Sequence, residues 1–138
     1  MGRRGLSHVL IDTHVWAWSL TDDKRLSSRA FESIKAAETV SVSVISLYEI
    51  GQKVRLGKWP DMVPFYPSLI ELAHEQGLRL MPLSPDASLV AAVLSWEHRD
   101  PFDRLIGATA FMEGLNLISA DIVFDELAEN ENWLGRIW

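Results

Sequence analysis

Short apolar runs alternate with longer segments of helical periodicity along this chain. The first run, 8–11, contains β-branched residues and ends at the polar pair Asp12-Thr13, a pattern that predicts a buried strand. Similar runs predict strands at 40–44, 78–81, 117–118 and 133–138. Periodicity and capping residues predict the intervening helices at 14–20, 27–37, 46–56, 65–76, 85–96 and 100–113, with a loop at 58–64.

This alternation predicts the α/β class, with a mainly parallel sheet covered by helices on both faces. In such sheets ligands bind beyond the carboxyl ends of the strands, where the strand order reverses. The chain of 138 residues is close to the usual size of one domain, and it shows no repeat or linker. We therefore expect a single domain over 1–138.

The amino-acid composition limits which reactive groups the protein can use and which cellular compartment suits it. The absence of Cys excludes disulfides, thiolate nucleophiles and Cys-ligated metal centres, and it suits a reducing cytosol. The longest uncharged runs, 39–48 and 87–96, have ten residues, about half of the ~20 that a transmembrane helix needs. After the basic MGRRG start, the apolar stretch meets Asp12 too soon for a secretory signal. We expect a cytoplasmic protein that does not enter the membrane.

The net charge is unfavourable for a nucleic-acid enzyme. There are 13 Lys and Arg against 19 Asp and Glu, which gives a formal charge of −6. A protein that holds nucleic acid by bulk electrostatics carries the opposite sign. Taken alone, this number disfavours nucleic-acid substrates, unless the acids are unevenly distributed over the surface.

Four acids occupy positions where predicted strands end and predicted helices begin. Asp12 and Asp121 each follow an apolar strand, and Glu49 and Asp103 each lie in the first turn of a predicted helix. The carboxyl ends of parallel strands meet at one edge of a sheet, so these four side chains could converge there. Such convergence would create a carboxylate-rich pocket.

Each acid also has a purely structural interpretation. Ser46 and Glu49 fit a capping box, with Ile45 and Ile50 as its hydrophobic staple. Asp100, followed by Pro101, fits an N-cap, and an acid at 103 is favoured by the helix dipole. Asp121 could cap the segment that follows it or simply occupy a turn.

Electrostatics decides what four clustered carboxylates require. Two of them ~4 Å apart repel by roughly 4 kcal/mol at an effective dielectric near 20. Compensation comes from protonation, from Arg or Lys, or from a divalent cation. An oxygen-only site suits Mg²⁺ or Mn²⁺, and such an ion lowers the pKa of its bound water.

Four segments together identify a family resemblance. They are Leu10-Ile11-Asp12-Thr13-His14-Val15-Trp16, Ser43-Val44-Ile45-Ser46-Leu47-Tyr48-Glu49-Ile50, the run from His98 to Ala110 (HRDPFDRLIGATA), and Leu117-Ile118-Ser119-Ala120-Asp121. In this order and spacing they resemble a PIN-domain nuclease, specifically a VapC-type toxin of a toxin–antitoxin pair. The resemblance covers 10–125.

This resemblance implies a compact three-layer α/β/α fold with Mg²⁺- or Mn²⁺-dependent endoribonuclease activity. It also implies a cognate antitoxin as partner, RNA as substrate, and a homodimer. The acidic quartet of the family corresponds to Asp12, Glu49, Asp103 and Asp121, as catalytic residues and metal ligands. Asp100 competes for the third position; we favour Asp103, since it stands three residues before Ile106 in the Leu-Ile-Gly-Ala pattern. Thr13 and Ser119 are expected to support the site.

Basic side chains that could contact RNA phosphates are Arg104, Lys53, Arg55 and Lys58. For the last three, a solvated helix end with cations favoured by the dipole is an equally good interpretation. Trp16 and Trp18 follow the first strand, and we expect them to pack rather than to stack on bases.

Three other functions fit parts of the sequence. A metal-free nuclease could use histidines as acid and base, since His8, His14, His74 and His98 are present. A phosphoryl-transfer or receiver-type α/β domain would also place an Asp at the sheet edge, but neither a P-loop nor an acid two residues after Asp12 is found. A catalytically inactive PIN-like protein-binding module would not need all four acids.

Overall fold

A parallel five-stranded sheet forms the centre of the protein. The computed structural model describes residues 7–138, so the MGRRG start lies outside the described residues. The strands are β1 (His8–Ile11), β2 (Thr39–Ser43), β3 (Arg79–Met81), β4 (Asn116–Ile118) and β5 (Arg136–Ile137). The helices are α1 (Thr13–Thr21), α2 (Ser28–Ala36), α3 (Val44–Arg55), α4 (Leu69–Glu75), α5 (Pro85–Val93) and α6 (Pro101–Glu113), with 3₁₀ segments at Pro60–Met62, Tyr66–Ser68 and Ile122–Glu129.

The strand order is β3-β2-β1-β4-β5, and every neighbouring pair is parallel. The chain builds outward from β1 through β2 to β3, and then returns to the other side of β1 for β4 and β5. The order therefore reverses between β1 and β4, where a doubly wound sheet opens a crevice at its carboxyl edge. The predicted α/β class and parallel sheet are confirmed.

Alternate residues of β1 point to opposite faces of the sheet and into two separate cores. Val9 and Ile11 pack with Trp16 and Ile50 on one face. Leu10 packs on the other face in a cluster that also contains Met81, Ile106, Ala110, Leu115, Leu117, Phe124 and Leu127. Both faces are thus covered by helices, which is the three-layer α/β/α arrangement and explains why β1 is apolar at every inward position. Within 7–138, no helix is long and apolar enough to cross a bilayer.

The start of α3 differs from the sequence prediction. Ser43 is the N-cap, because its Oγ accepts a hydrogen bond from the Ile45 main-chain N–H at 3.0 Å. The helix therefore begins at Val44, and β2 ends at Ser43 instead of 44. The predicted capping box of Ser46 and Glu49, with its Ile45 and Ile50 staple, is wrong, since an equally good cap stands three residues earlier.

Several other element boundaries differ from the sequence prediction. The predicted helix 65–76 is divided into a 3₁₀ turn and α4, and Pro67, which lacks an N–H, lies in that 3₁₀ turn. The predicted loop 58–64 contains another 3₁₀ turn. Helix α5 ends at Val93 and not at 96, because the Arg104 guanidinium binds main-chain carbonyl oxygens of the segment 94–98. The last strand shrinks from 133–138 to Arg136–Ile137.

Candidate metal centre

A cavity of about 420 Å³ lies beyond the carboxyl ends of β1 and β4. All four acids of the predicted quartet line it, together with the competing Asp100; the full lining is Asp12, Thr13, His14, Trp18, Glu49, Lys53, His98, Asp100, Asp103, Ala120 and Asp121. The tertiary structure therefore brings together residues from four separated parts of the chain. Their role as metal ligands stays a prediction.

Asp12 occupies the position directly after β1 and caps α1. Its Oδ1 accepts a hydrogen bond from the Val15 main-chain N–H at 2.9 Å, and its own N–H donates to the Ile118 carbonyl of β4 at 3.1 Å. The residue is only 8% exposed. Burial raises the pKa of Asp12 to about 7, against the lowering effect of Ser119 and the Val15 N–H; Asp103 and Glu49 raise it further.

Glu49 lies in the second turn of α3 and is held by two donors. The Thr13 hydroxyl donates to its Oε1 at 2.7 Å, and the Lys53 Nζ donates to its Oε2 at 3.0 Å. The Thr13 and Ser46 hydroxyls are also 2.7 Å apart. Because Thr13 gives its one proton to Glu49, Ser46 donates to Thr13 in this chain. Thr13 thus orients a buried carboxylate that lines the cavity, and its support of a metal site stays a prediction.

We expect Thr13→Val to destabilise the protein by about 1–3 kcal/mol, because it leaves a buried Glu49 oxygen and the Ser46 hydroxyl without their partner. Thr13→Ser is the matched control, since it keeps the donating hydroxyl. The free energy of unfolding in urea measures both. Equal stability of the Val variant and the wild type would contradict this network.

The third acid of the quartet belongs to a group of three polar side chains. His98 Nε2 lies 2.7 Å from Asp103 Oδ2, and Asp100 Oδ1 caps α6 by accepting from the N–H groups of Phe102 and Asp103. One ligand atom from each of His98, Asp100 and Asp103 lies within 4.8 Å of the others. Burial raises the pKa of Asp103 to about 6, Asp100 adds to the rise, and His98 opposes it.

Asp121 follows β4 and is the most exposed member of the quartet. Its Oδ1 accepts from the Val123 N–H at 3.0 Å, and its own N–H donates to the Ser119 Oγ at 3.0 Å. Ser119 is fully buried, so it links the end of β4 to both Asp121 and Asp12. The cap interpretation is therefore confirmed for Asp100 and Asp121, and within 7–138 no hydrogen bond occupies the second oxygen of either carboxylate.

The charge balance of the cavity fits a divalent cation. Five carboxylates line it, whereas Lys53 is the one lining residue with a permanent positive charge. That Lys already pairs with Glu49. Burial is the main cause of the raised pKa values of Asp12 and Asp103, and neighbouring carboxylates raise both pKa values further. Carboxylate oxygens with a nearby imidazole form a suitable donor set for Mg²⁺ or Mn²⁺.

Sequence reasoning gave the histidines a role only in the alternative metal-free nuclease, and it expected Trp18 to pack. His98 was visible as the first residue of the HRDPFD run, five positions before Asp103, but only the folded chain places its ring on that carboxylate. His14 stacks on Trp59 with ring centroids 4.8 Å apart, and Trp18 contacts both His14 and Trp138. We call His14, Trp18, Trp59 and Trp138 the aromatic rim. Trp16 is buried as predicted.

The candidate RNA contacts have different surroundings. Every nitrogen of the Arg104 guanidinium donates to a main-chain carbonyl, so its assignment to RNA phosphates is not retained. Lys53 lines the cavity, and its Nζ lies 5.2 Å from the centroid of a Trp59 ring. Arg55, the last residue of α3, and Lys58, which follows the helix, are exposed and do not line the cavity.

A parallel α/β/α sheet with an acidic cavity at its switch point is the arrangement of a PIN domain, and the PIN domain family model matches residues 9–130. The chain belongs to this family. It is 32% identical over 117 residues to Ribonuclease VapC22 of Mycobacterium tuberculosis, covering 84% of this chain and 88% of that protein.

Solved structures show the same fold at low sequence identity. VapBC-5 of M. tuberculosis, a member of the VapBC family of toxin–antitoxin systems, matches with a TM-score of 0.66 and 19% identity over 94% of this chain and 98% of its own. VapBC2 of Rickettsia felis, solved bound to a DNA fragment from its promoter, has a TM-score of 0.63 and 17% identity, covering 95% of this chain and 98% of its own. VapC20 of M. tuberculosis, a sarcin-ricin loop cleaving toxin, has a TM-score of 0.60 and 18% identity, covering 86% of this chain and 93% of its own.

Proposed function

We propose that this protein is a metal-dependent endoribonuclease and the toxin of a toxin–antitoxin pair. One observation carries the proposal: five carboxylates and a single lysine line one cavity at the switch point of a PIN fold. The ribonuclease name of a relative at 32% identity supports RNA as the substrate. Lys53 alone does not balance five carboxylates, and a divalent cation would supply the remaining positive charge while keeping them ionised.

In this proposal Asp12, Asp103 and Asp121 hold Mg²⁺ or Mn²⁺, and Asp100 is close enough to assist. The bound ion would activate a water and neutralise charge on the scissile phosphate. Glu49, fixed by Thr13 and Lys53, holds a second ion or orients the attacking water. Hydrolysis then leaves a 5′-phosphate and a 3′-hydroxyl, as in the family it resembles.

The path of the RNA is proposed to run across the aromatic rim. Lys53 and Arg25 lie over Trp59 and Trp18 at 5.2 Å from the ring centroids, so cations and rings alternate beside the cavity. Such a surface suits a single strand whose phosphates contact the cations, while Trp18 packs against Trp138 as expected from the sequence. Lys53 is the candidate phosphate contact nearest the acids. The negative net charge does not exclude RNA if bound metal offsets the local acids.

The partners are proposed to be a cognate antitoxin and a second copy of the chain. Similar folds have been solved as toxin–antitoxin complexes, which supports the antitoxin. Helix α5 exposes Leu89 and Val93 at 72% and 83%, an apolar surface that a homodimer could cover. The cysteine-free composition supports the cytoplasm as the compartment. Light scattering at micromolar concentration tests the dimer, and a monomer would count against it.

We expect purified protein to cleave total RNA with Mg²⁺ or Mn²⁺ and to lose this activity in EDTA, because the acids cannot act on the phosphate without a cation. Gel analysis of the products and of their 5′ ends measures the result. Cleavage that persists in EDTA would favour the metal-free histidine mechanism. If the protein cleaves no RNA with or without metal but binds a partner protein tightly, the inactive binding module would be favoured.

A further inference from the structure

Arg104 is the most extensively hydrogen-bonded cation in the described chain. Its Nε donates to the Ala91 carbonyl at 3.0 Å and its Nη2 to the Leu94 carbonyl at 2.6 Å. Its Nη1 donates to the carbonyls of Trp96 and His98 at 2.7 and 2.9 Å. The side chain thus binds four carbonyls along the end of α5 and the segment 94–98.

These carbonyls have no helical partner. The last carbonyls of an α-helix lack N–H donors, and α5 ends at Val93, so the chain after it needs another source of donors. A guanidinium presents several N–H groups in a fixed plane, and a lysine ammonium cannot reach carbonyls spread over eight residues. Arg104 lies in the first turns of α6, directly after Asp103. The helix that carries the acid therefore also holds the segment that leads to His98.

The held segment ends at the cavity. The His98 carbonyl is bound by Arg104, and the His98 ring meets the Asp103 carboxylate at 2.7 Å and packs on Trp96 at a centroid distance of 5.0 Å. Trp96 is fixed in turn by its Nε1–H, which donates to Glu126 at 2.9 Å. Asp100, two residues after His98, caps α6 and lines the cavity.

From these contacts we infer that Arg104 is a positioning residue that sets the metal affinity of the site by holding His98 against Asp103. The inference rests on the proposed function, since it needs a metal at the acids. Hydrogen-bonded partners of metal ligands orient the ligand, and their loss typically costs about 10–100-fold in metal affinity. Arg104 acts one step further out, through the main chain of the segment 94–98.

The test is Mn²⁺ binding by isothermal titration calorimetry to wild type, Arg104→Lys and Arg99→Lys. Arg99 is an exposed arginine of the same connection, with no hydrogen bond among the described residues. We expect the dissociation constant of Arg104→Lys to rise about 10-fold or more and that of Arg99→Lys to stay within about twofold. Hydrogen exchange of the peptide covering 94–100 should quicken in Arg104→Lys only.

Kinetics separates this role from two alternatives. In Arg104→Lys, kcat at saturating Mn²⁺ should return close to the wild-type value, while the Mn²⁺ concentration for half-maximal rate rises. A raised KM for RNA with unchanged metal affinity would instead indicate a phosphate contact and overturn the inference. A lower free energy of unfolding with unchanged metal affinity would indicate a purely structural role and overturn it as well.

Two controls keep the result decisive. If Arg104→Lys does not fold, His98→Ala is measured in the same way, because it removes the group that the segment delivers; an unchanged dissociation constant there overturns the inference. If the wild type itself binds no Mn²⁺, the proposed function fails and the inference fails with it. Wild-type binding with an unaffected Arg104→Lys leaves the proposed function intact and removes the inference alone.

Discussion

Asp12→Asn should lower the metal-dependent RNase activity by more than about 100-fold and at the same time stabilise the metal-free protein. Activity falls because the variant loses a charged oxygen that lines the cavity and is proposed to hold the metal. Stability rises because burial makes the charged form of Asp12 unfavourable, as its pKa of about 7 shows. Asn caps a helix as well as Asp, so the bond to the Val15 N–H can persist.

The expected gain in unfolding free energy is roughly 2–4 kcal/mol near pH 8, from the shift between the ordinary and the folded pKa. Urea unfolding in EDTA measures it, and cleavage of RNA with Mn²⁺ measures the activity. Asp86→Asn is the matched control, because Asp86 is an exposed acid in the first turn of α5. Full activity of Asp12→Asn with an intact fold would remove Asp12 from the proposed site.

The metal-free protein should lose stability as the pH rises from about 4 to about 7, and divalent metal should remove this loss. The folded-state pKa values of Asp12 and Asp103 are about 7 and about 6, above the ordinary 3.8. The folded protein therefore binds protons more tightly than the unfolded chain. Its stability from these groups is complete below their ordinary pKa and is lost as the pH passes through the folded values.

For Asp12 alone the loss amounts to roughly 4 kcal/mol, which is large beside the total stability of a small domain. A bound cation favours the charged carboxylates, so saturating Mg²⁺ or Mn²⁺ should flatten or reverse the trend. Urea midpoints over this pH range, in EDTA and in metal, measure the effect. Asp12→Asn should show a smaller slope in EDTA. A midpoint in EDTA that rises steadily with pH would show that the acids are not strained by burial.

Three acids of the cavity combine a structural role with their proposed functional role. Asp12, Asp100 and Asp121 are all helix caps in the structure, so their structural interpretation and their proposed functional one are not alternatives. A cap uses one carboxylate oxygen and points the residue toward the carboxyl edge of the sheet. Glu49 differs, because it caps nothing and is held by Thr13 and Lys53 in the second turn of α3.

The sequence by itself determined the alternating strands and helices, the parallel sheet, the four acids and the family resemblance, because apolar periodicity and cap residues act over a few neighbouring positions. It also left errors that are local in origin, such as the start of α3, where Ser43 and Ser46 were both able to cap. Near a helix end, two serines of similar cap strength are separated only by what their hydroxyls meet after folding.

Only the tertiary structure decided which polar groups meet. The Ser46 hydroxyl forms a hydrogen bond with Thr13 and does not cap its own helix. The Arg104 guanidinium binds the carbonyls at the end of α5 and not the solvent or RNA. The His98 ring contacts the Asp103 carboxylate, and the His98 carbonyl accepts a hydrogen bond from Arg104. These partners lie far apart in sequence or depend on where a helix stops, and the directions of single side chains follow from packing, which no local pattern encodes.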